Sequence, residues 1–187
     1  MNNNKFEYFL NAVHYCIWLN DMKFGDFMGR IVNTLFSPIP KYLFTKEYKK
    51  KYYERLSEEQ KKIDKFFYDK EIGYHIAWAH HWFGFFYSGY FMFLSFVLLG
   101  IPDGIFGGVN LIVATAIIAL PIALGYIPAY RAVFSKDRYL NYFKQFEKED
   151  EQWHKKWKMI TWVFCIGSVV FTIGGIFAMW GVSLLFR

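Results

Sequence analysis

Charge is scarce in two long stretches of this 187-residue chain. Between Trp82 and Tyr130 the only charged side chain is Asp103, and between Ile160 and Phe186 there is none. Apolar blocks of that length exclude a water-soluble monomer and a disordered tail. Cysteine is as sparse. Cys16 and Cys165 alone cannot build a disulfide scaffold, and both are expected on a reducing side. Phosphate loops, nucleophile motifs and zinc spacings are missing, and Gly104-Ile105-Phe106-Gly107-Gly108 lies at an apolar boundary rather than after a strand. Gly104 and Gly108 read better as a small-residue contact. No pair of carboxylates falls within an apolar block, which disfavours a proton-coupled transporter. An enzyme is therefore not expected. Nor is a cofactor, and the 23% aromatic fraction is assigned none.

What the chain does have is apolar length. A helix rising about 1.5 Å per residue needs about twenty apolar residues to cross a hydrocarbon core of roughly 30 Å. Residues 82–101, 105–127 and 160–186 meet that requirement, with Pro102-Asp103-Gly104 as a turn between the first two. The predicted fold is an all-α integral membrane protein with three transmembrane helices. Basic residues are retained on the cytoplasmic side of membrane helices. Residues 1–81 hold 13 Lys and Arg and the 131–159 connection holds 8, whereas only Arg187 lies on the opposite side. This predicts a cytoplasmic N-terminus, an external C-terminus and a bacterial inner-membrane location. The first residues have no basic segment leading into a continuous apolar run, so a cleaved secretory signal is not expected. The net charge of +6 fits a bilayer with anionic headgroups as partner.

The division expected is a cytoplasmic or interfacial amphipathic helical module over residues 1–81 and a transmembrane domain over 82–187, including the helical connection 131–159. Phe6, Phe9, Leu10, Val13, Cys16 and Ile17 form one helical stripe, and Phe24, Phe27, Met28, Ile31, Val32 and Leu35 a second that ends at Ser37-Pro38-Ile39-Pro40. Residues 6–19 could alternatively re-enter the membrane as a half-span. A third pattern runs from Thr45 through Phe67, with a capping-box spacing at Ser57 and Gln60 and Gly73 as a stop. In the connection, Leu140, Phe143, Phe146, Trp153 and Trp157 recur at helical intervals and are expected to dock on the N-terminal helices.

Chemistry-bearing candidates are few. Lys49, Lys50, Lys51 and Arg55 read first as a solvated or headgroup-facing surface, and second as a patch for a cytoplasmic anionic or nucleotide ligand. The spacing of His75 to His80 is similar to a histidine box of membrane desaturases and hydroxylases, which would imply iron. Those enzymes use more histidines than the five here, and His75, His80 and His81 diverge around a helix. Hydrogen-bonded interfacial histidines are the preferred reading. Within the spans, Asn110, Thr115, Ser168 and Thr172 are polar candidates for pore lining or interhelical bonding. Ser88 and Ser95, and the stripe Gly167, Gly174, Ala178 and Gly181, are small enough for close helix packing within or between chains. Pro121 and Pro128 permit a hinge or a static bend, the latter preferred.

Three function classes fit this pattern. The first is a homo-oligomeric channel or membrane-permeabilising effector gated through the cytoplasmic helices, resembling small bacterial membrane effectors in architecture alone. The second is an accessory or scaffold subunit bound to another membrane protein. The third is a membrane-interface metalloenzyme using the histidines. The channel leads narrowly, because it accounts together for small-residue faces, absent charge and a large cytoplasmic module.

Overall fold

The computed structural model describes residues 4–36 and 65–187. Every regular element among the described residues is helical. They are α1 (Lys5–Phe36), α2 (Tyr74–Phe106), α3 (Leu111–Val133), a 3₁₀ turn at Ser135–Asp137, α4 (Arg138–Phe146) and α5 (Glu151–Leu185). A further helical turn occupies residues 65–68. Among the described residues three helices are long and apolar enough to cross a membrane: α2, the helical run that begins with α3, and α5.

The spans sit differently from the sequence boundaries. α2 begins at Tyr74 and runs straight through Pro102, so the expected turn at residues 102–104 is helix. A proline inside a helix forfeits one backbone bond, whereas a loop at membrane depth would leave several groups unpaired. The chain reverses instead at Gly107 (φ 69°) and Gly108 (φ 152°), a backbone open to glycine. Gly108 is thus a turn residue, with no atom near its Cβ position. Asn110 then starts α3, its Oδ1 accepting from Ile112 N at 2.9 Å. The second apolar helix is shifted accordingly, from residues 105–127 to 111–133. α5 starts nine residues before residue 160, because Asp150 caps it by accepting from Trp153 N at 2.7 Å. Trp153 and Trp157 therefore belong to α5 itself, and the connection keeps only α4 as a separate helix.

The two N-terminal stripes lie on one helix, since nothing between Ile17 and Lys23 breaks it. The first half of α1 is not amphipathic in its surroundings. Residues 10–18 are buried without interruption, polar Asn11 and His14 included. In the second half Phe24, Phe27, Met28, Ile31, Val32 and Leu35 are all exposed. The Thr45–Ile63 pattern and Ser37–Pro40 lie outside the described residues.

The chain divides into two compact units, one of Met1–Cys16 with His81–Arg187, the other of Ile17–His80. The first sixteen residues thus cluster with the spans. In this larger unit α2 is the middle span. Towards α3, Ser95 Oγ donates to Ile118 O at 3.0 Å, Tyr87 OH donates to Gly125 O at 3.3 Å, and Gly125 lies under the Phe91 ring. Towards α5, a Cβ on Gly100 would fall 2.6 Å from Met179 O, one on Gly104 2.5 Å from Ser183 O, and one on Gly175 2.9 Å from Phe93 Cα. Between membrane helices small residues replace hydrophobic drive with backbone proximity.

Against the ends of these spans sits an aromatic core. The Tyr8 ring meets Trp157 edge-on at 5.7 Å and Phe146 at 5.2 Å, and Trp153 Nε1 donates to Tyr8 OH at 2.9 Å. Phe143 is fully buried, with its ring 5.3 Å from His14 and 5.0 Å from Tyr15. Such offset and edge-on pairs add to area burial. Burial, then the Glu147 charge and Cys16, push the Tyr15 hydroxyl up to about 12, so it stays neutral in this core.

The smaller unit contains the second half of α1, the 65–73 segment and the first turns of α2. Asp69 Oδ1 accepts from Glu71 N at 2.7 Å and Ile72 N at 3.1 Å, which holds its carboxyl below the usual range. Gly73 follows and abuts the Asp69 carbonyl, and α2 starts at the next residue.

Candidate functional site

The polar groups of the apolar helices are the natural place to look for function, because a polar group in hydrocarbon is costly unless bonded. Most are bonded inside the chain. Ser95 is fully buried and its Oγ lies 3.0 Å from both Phe91 O and Ile118 O. Thr172 Oγ1 is 3.0 Å from Ser168 O and 3.2 Å from Gly89 O, and buried Ser168 packs on Gly89. Thr115 Oγ1 donates to Leu111 O within its own helix, and Asn110 is the cap of α3. Asp103, the lone carboxylate of the apolar region, accepts from Ser183 Oγ at 2.7 Å.

The small residues separate into two faces. Gly167 lies against Tyr90 OH, which donates to Phe164 O at 2.7 Å. Ser168, Thr172, Gly175, Met179 and Ser183 continue that inward line on α5. Gly174 and Gly181 have no atom within 4 Å of their Cβ positions, and Ala178 is half-buried. Ser88 is also half-buried. Pro121 is buried and Pro128 exposed, both inside a helix that continues through them.

The histidines go to separate environments. His75 Nδ1 pairs with Asp21 Oδ2 at 2.6 Å in the smaller unit, and Gly25 leaves room for its ring, where a Cβ would be 2.5 Å from Cε1. The His81 ring contacts Trp82. No three His, Cys, Asp or Glu side chains among the described residues converge to hold a metal ion. Lys49, Lys50, Lys51 and Arg55 lie outside the described residues.

Asn11 escaped the sequence reading. It is fully buried, and its Nδ2 donates to Glu7 O at 2.8 Å and to Ala132 O at 3.0 Å. Two carbonyl acceptors fix the orientation of the amide. A lone asparagine inside an apolar helical stripe was the available signal. It ties α1 to the last turn of α3, beside the ion pair of Glu7 with Arg138 at 3.3 Å. Asn11→Ala is expected to lower stability by about 1–3 kcal/mol, since Ala132 O loses its partner. Asn11→Asp should cost more, because it sets carboxylate oxygen against two carbonyls. Chemical denaturation in detergent, followed by helix signal, checks the ranking.

Compared with known protein families, with curated proteins and with solved structures, the chain matches none.

Proposed function

We propose that the chain is a membrane-embedded assembly subunit, which joins a transmembrane helix of another chain through the open face of α5. One observation carries this reading. Ser168, Thr172 and Ser183 of α5 turn towards α2, while Gly174 and Gly181 leave two places on the other side where a backbone can approach closely. The same pattern weighs against conduction, because the Ser168 and Thr172 groups that would line a pore are engaged with their own chain. The basic ends of the spans support a cytoplasmic N-terminus, and three spans then put the C-terminus outside.

The mass of the purified complex in detergent tests it. A mass above the monomer is expected, whether from a second copy or a stoichiometric foreign subunit, and Gly174→Leu with Gly181→Leu should return it to the monomer. No conductance is expected in planar bilayers. A strictly monomeric wild type, or defined single-channel steps that survive purification, would overturn the reading, the latter in favour of a channel.

A further inference from the structure

The end of α3 carries a feature that assembly does not use. Beside its last turn, within the larger unit, lies a cleft of about 570 Å³ whose polar walls are Asn4 and Glu7 from the start of α1, Arg131 from α3, and Ser135, Lys136 and Arg138 beyond it. Three cations thus face one carboxylate. Glu7 is committed to Arg138 at 3.3 Å, and among the described residues neither Arg131 nor Lys136 has an ion-pair partner. The backbone contributes to this imbalance. Lys136 (φ 58°, ψ 33°) and Asp137 (φ 51°, ψ 37°) are successive left-handed residues, and of the two only Lys136 lines the cleft. Residues other than glycine, asparagine and aspartate adopt this conformation at a cost, so Lys136 is held in it against local preference, with its side chain on the cleft wall and Asp137 off it.

Depth along α3 identifies the ligand chemistry. Residues 111–130 of the helix carry no charge, and Arg131 is the first charged group after them. A cleft at that level lies where hydrocarbon gives way to phosphate groups. A guanidinium fork matches phosphate oxygens bidentately, and a neighbouring ammonium adds a point charge. We propose that this cleft binds the phosphate of an anionic phospholipid headgroup, held by Arg131 and Lys136.

Titration of the full-length protein in detergent with phosphatidylglycerol or phosphatidylcholine, read by native mass spectrometry, tests the proposal. Wild type retains phosphatidylglycerol in preference, and Arg131→Gln with Lys136→Gln lowers that retention about tenfold or more. Glu7→Gln removes the opposing charge and raises it, which keeps the test decisive if the double variant fails to fold. Equal retention by wild type and the folded double variant overturns the site. No gain with Glu7→Gln does the same, as does an equal loss on neutralising Lys155 and Lys158 of α5. A parallel arm uses inorganic phosphate without lipid. If it binds at millimolar concentration and displaces phosphatidylglycerol, a soluble phosphate compound is the ligand and the lipid assignment is overturned.

Discussion

Gly104→Val is expected to destabilise the folded span bundle by about 1–3 kcal/mol, and Gly100→Val by a similar amount, through overpacking. The cause is the α2–α5 contact. At Gly104 the first added carbon would meet Ser183 O at 2.5 Å and Phe186 Cβ at 2.8 Å, and at Gly100 it would meet Met179 O at 2.6 Å and Val182 Cβ at 3.0 Å. Two of these neighbours are backbone atoms, which move only if the helix moves. Separating the helices here also stretches the Ser183–Asp103 hydrogen bond and strands a carboxylate in apolar surroundings. The two effects should be less than additive, because either substitution alone opens the same seam. Unfolding in mixed micelles of rising dodecyl sulfate content, monitored by far-UV circular dichroism, reads the loss. Gly174→Val provides the internal contrast. With nothing within 4 Å of its Cβ position, it should leave the monomer's stability unchanged.

Phe143→Ala should cost more than either glycine substitution, about 3–5 kcal/mol. The ring is fully buried and is surrounded by His14, Tyr15 and Tyr139, the last at 5.5 Å. None of these can swing into the vacated volume without leaving its other contacts, such as Tyr15 on Phe146 at 5.6 Å and His14 on Phe83 at 5.4 Å. The cavity therefore persists. α4 is a nine-residue helix, too short to hold together alone, so loosening its anchor should release it as a piece. Trypsin cleavage after Arg138 or Lys144 is expected to accelerate at least tenfold relative to wild type. Phe143→Leu, which keeps most of the volume, should show a much smaller acceleration.

The existence of three spans was legible because two blocks of sequence exclude charge, and that signal is independent of where helices begin. Their limits were less legible. Pro102-Asp103-Gly104 has the composition of a turn, yet Asp103 finds Ser183 on a helix some eighty residues away and Gly104 lets that helix approach. Neither fact is local. The small residues of α5 show the same difficulty. Gly174, Ala178 and Gly181 make one stripe, while Ser168, Thr172, Gly175 and Ser183 make another more than a third of a turn round, and periodicity does not say which one faces α2. The predicted docking of Trp153 and Trp157 on the N-terminal helix depended on a coarser argument, that apolar helical faces need cover. That docking is present in the Tyr8–Trp157 and Tyr8–Trp153 contacts. The cleft at Arg131 had no sequence signal, since its cations are scattered over eight positions and converge only through the left-handed pair at Lys136 and Asp137.

The burial of α1 also constrains how the protein is made. Asn11 binds a carbonyl 121 positions further along, and Tyr8 pairs with an indole 145 positions away. Ribosomes add about 5–20 residues per second, so roughly 7–30 s pass between the emergence of α1 and that of its last partner. For that interval a helix with apolar residues on every side, and an asparagine and a histidine among them, lacks its full set of neighbours, meeting Phe83, Ala132 and Phe143 only as each is made in turn. Chains that stall before α2 would present this segment openly, which makes the first sixteen residues a segment that a chaperone or the insertion machinery must shield during synthesis.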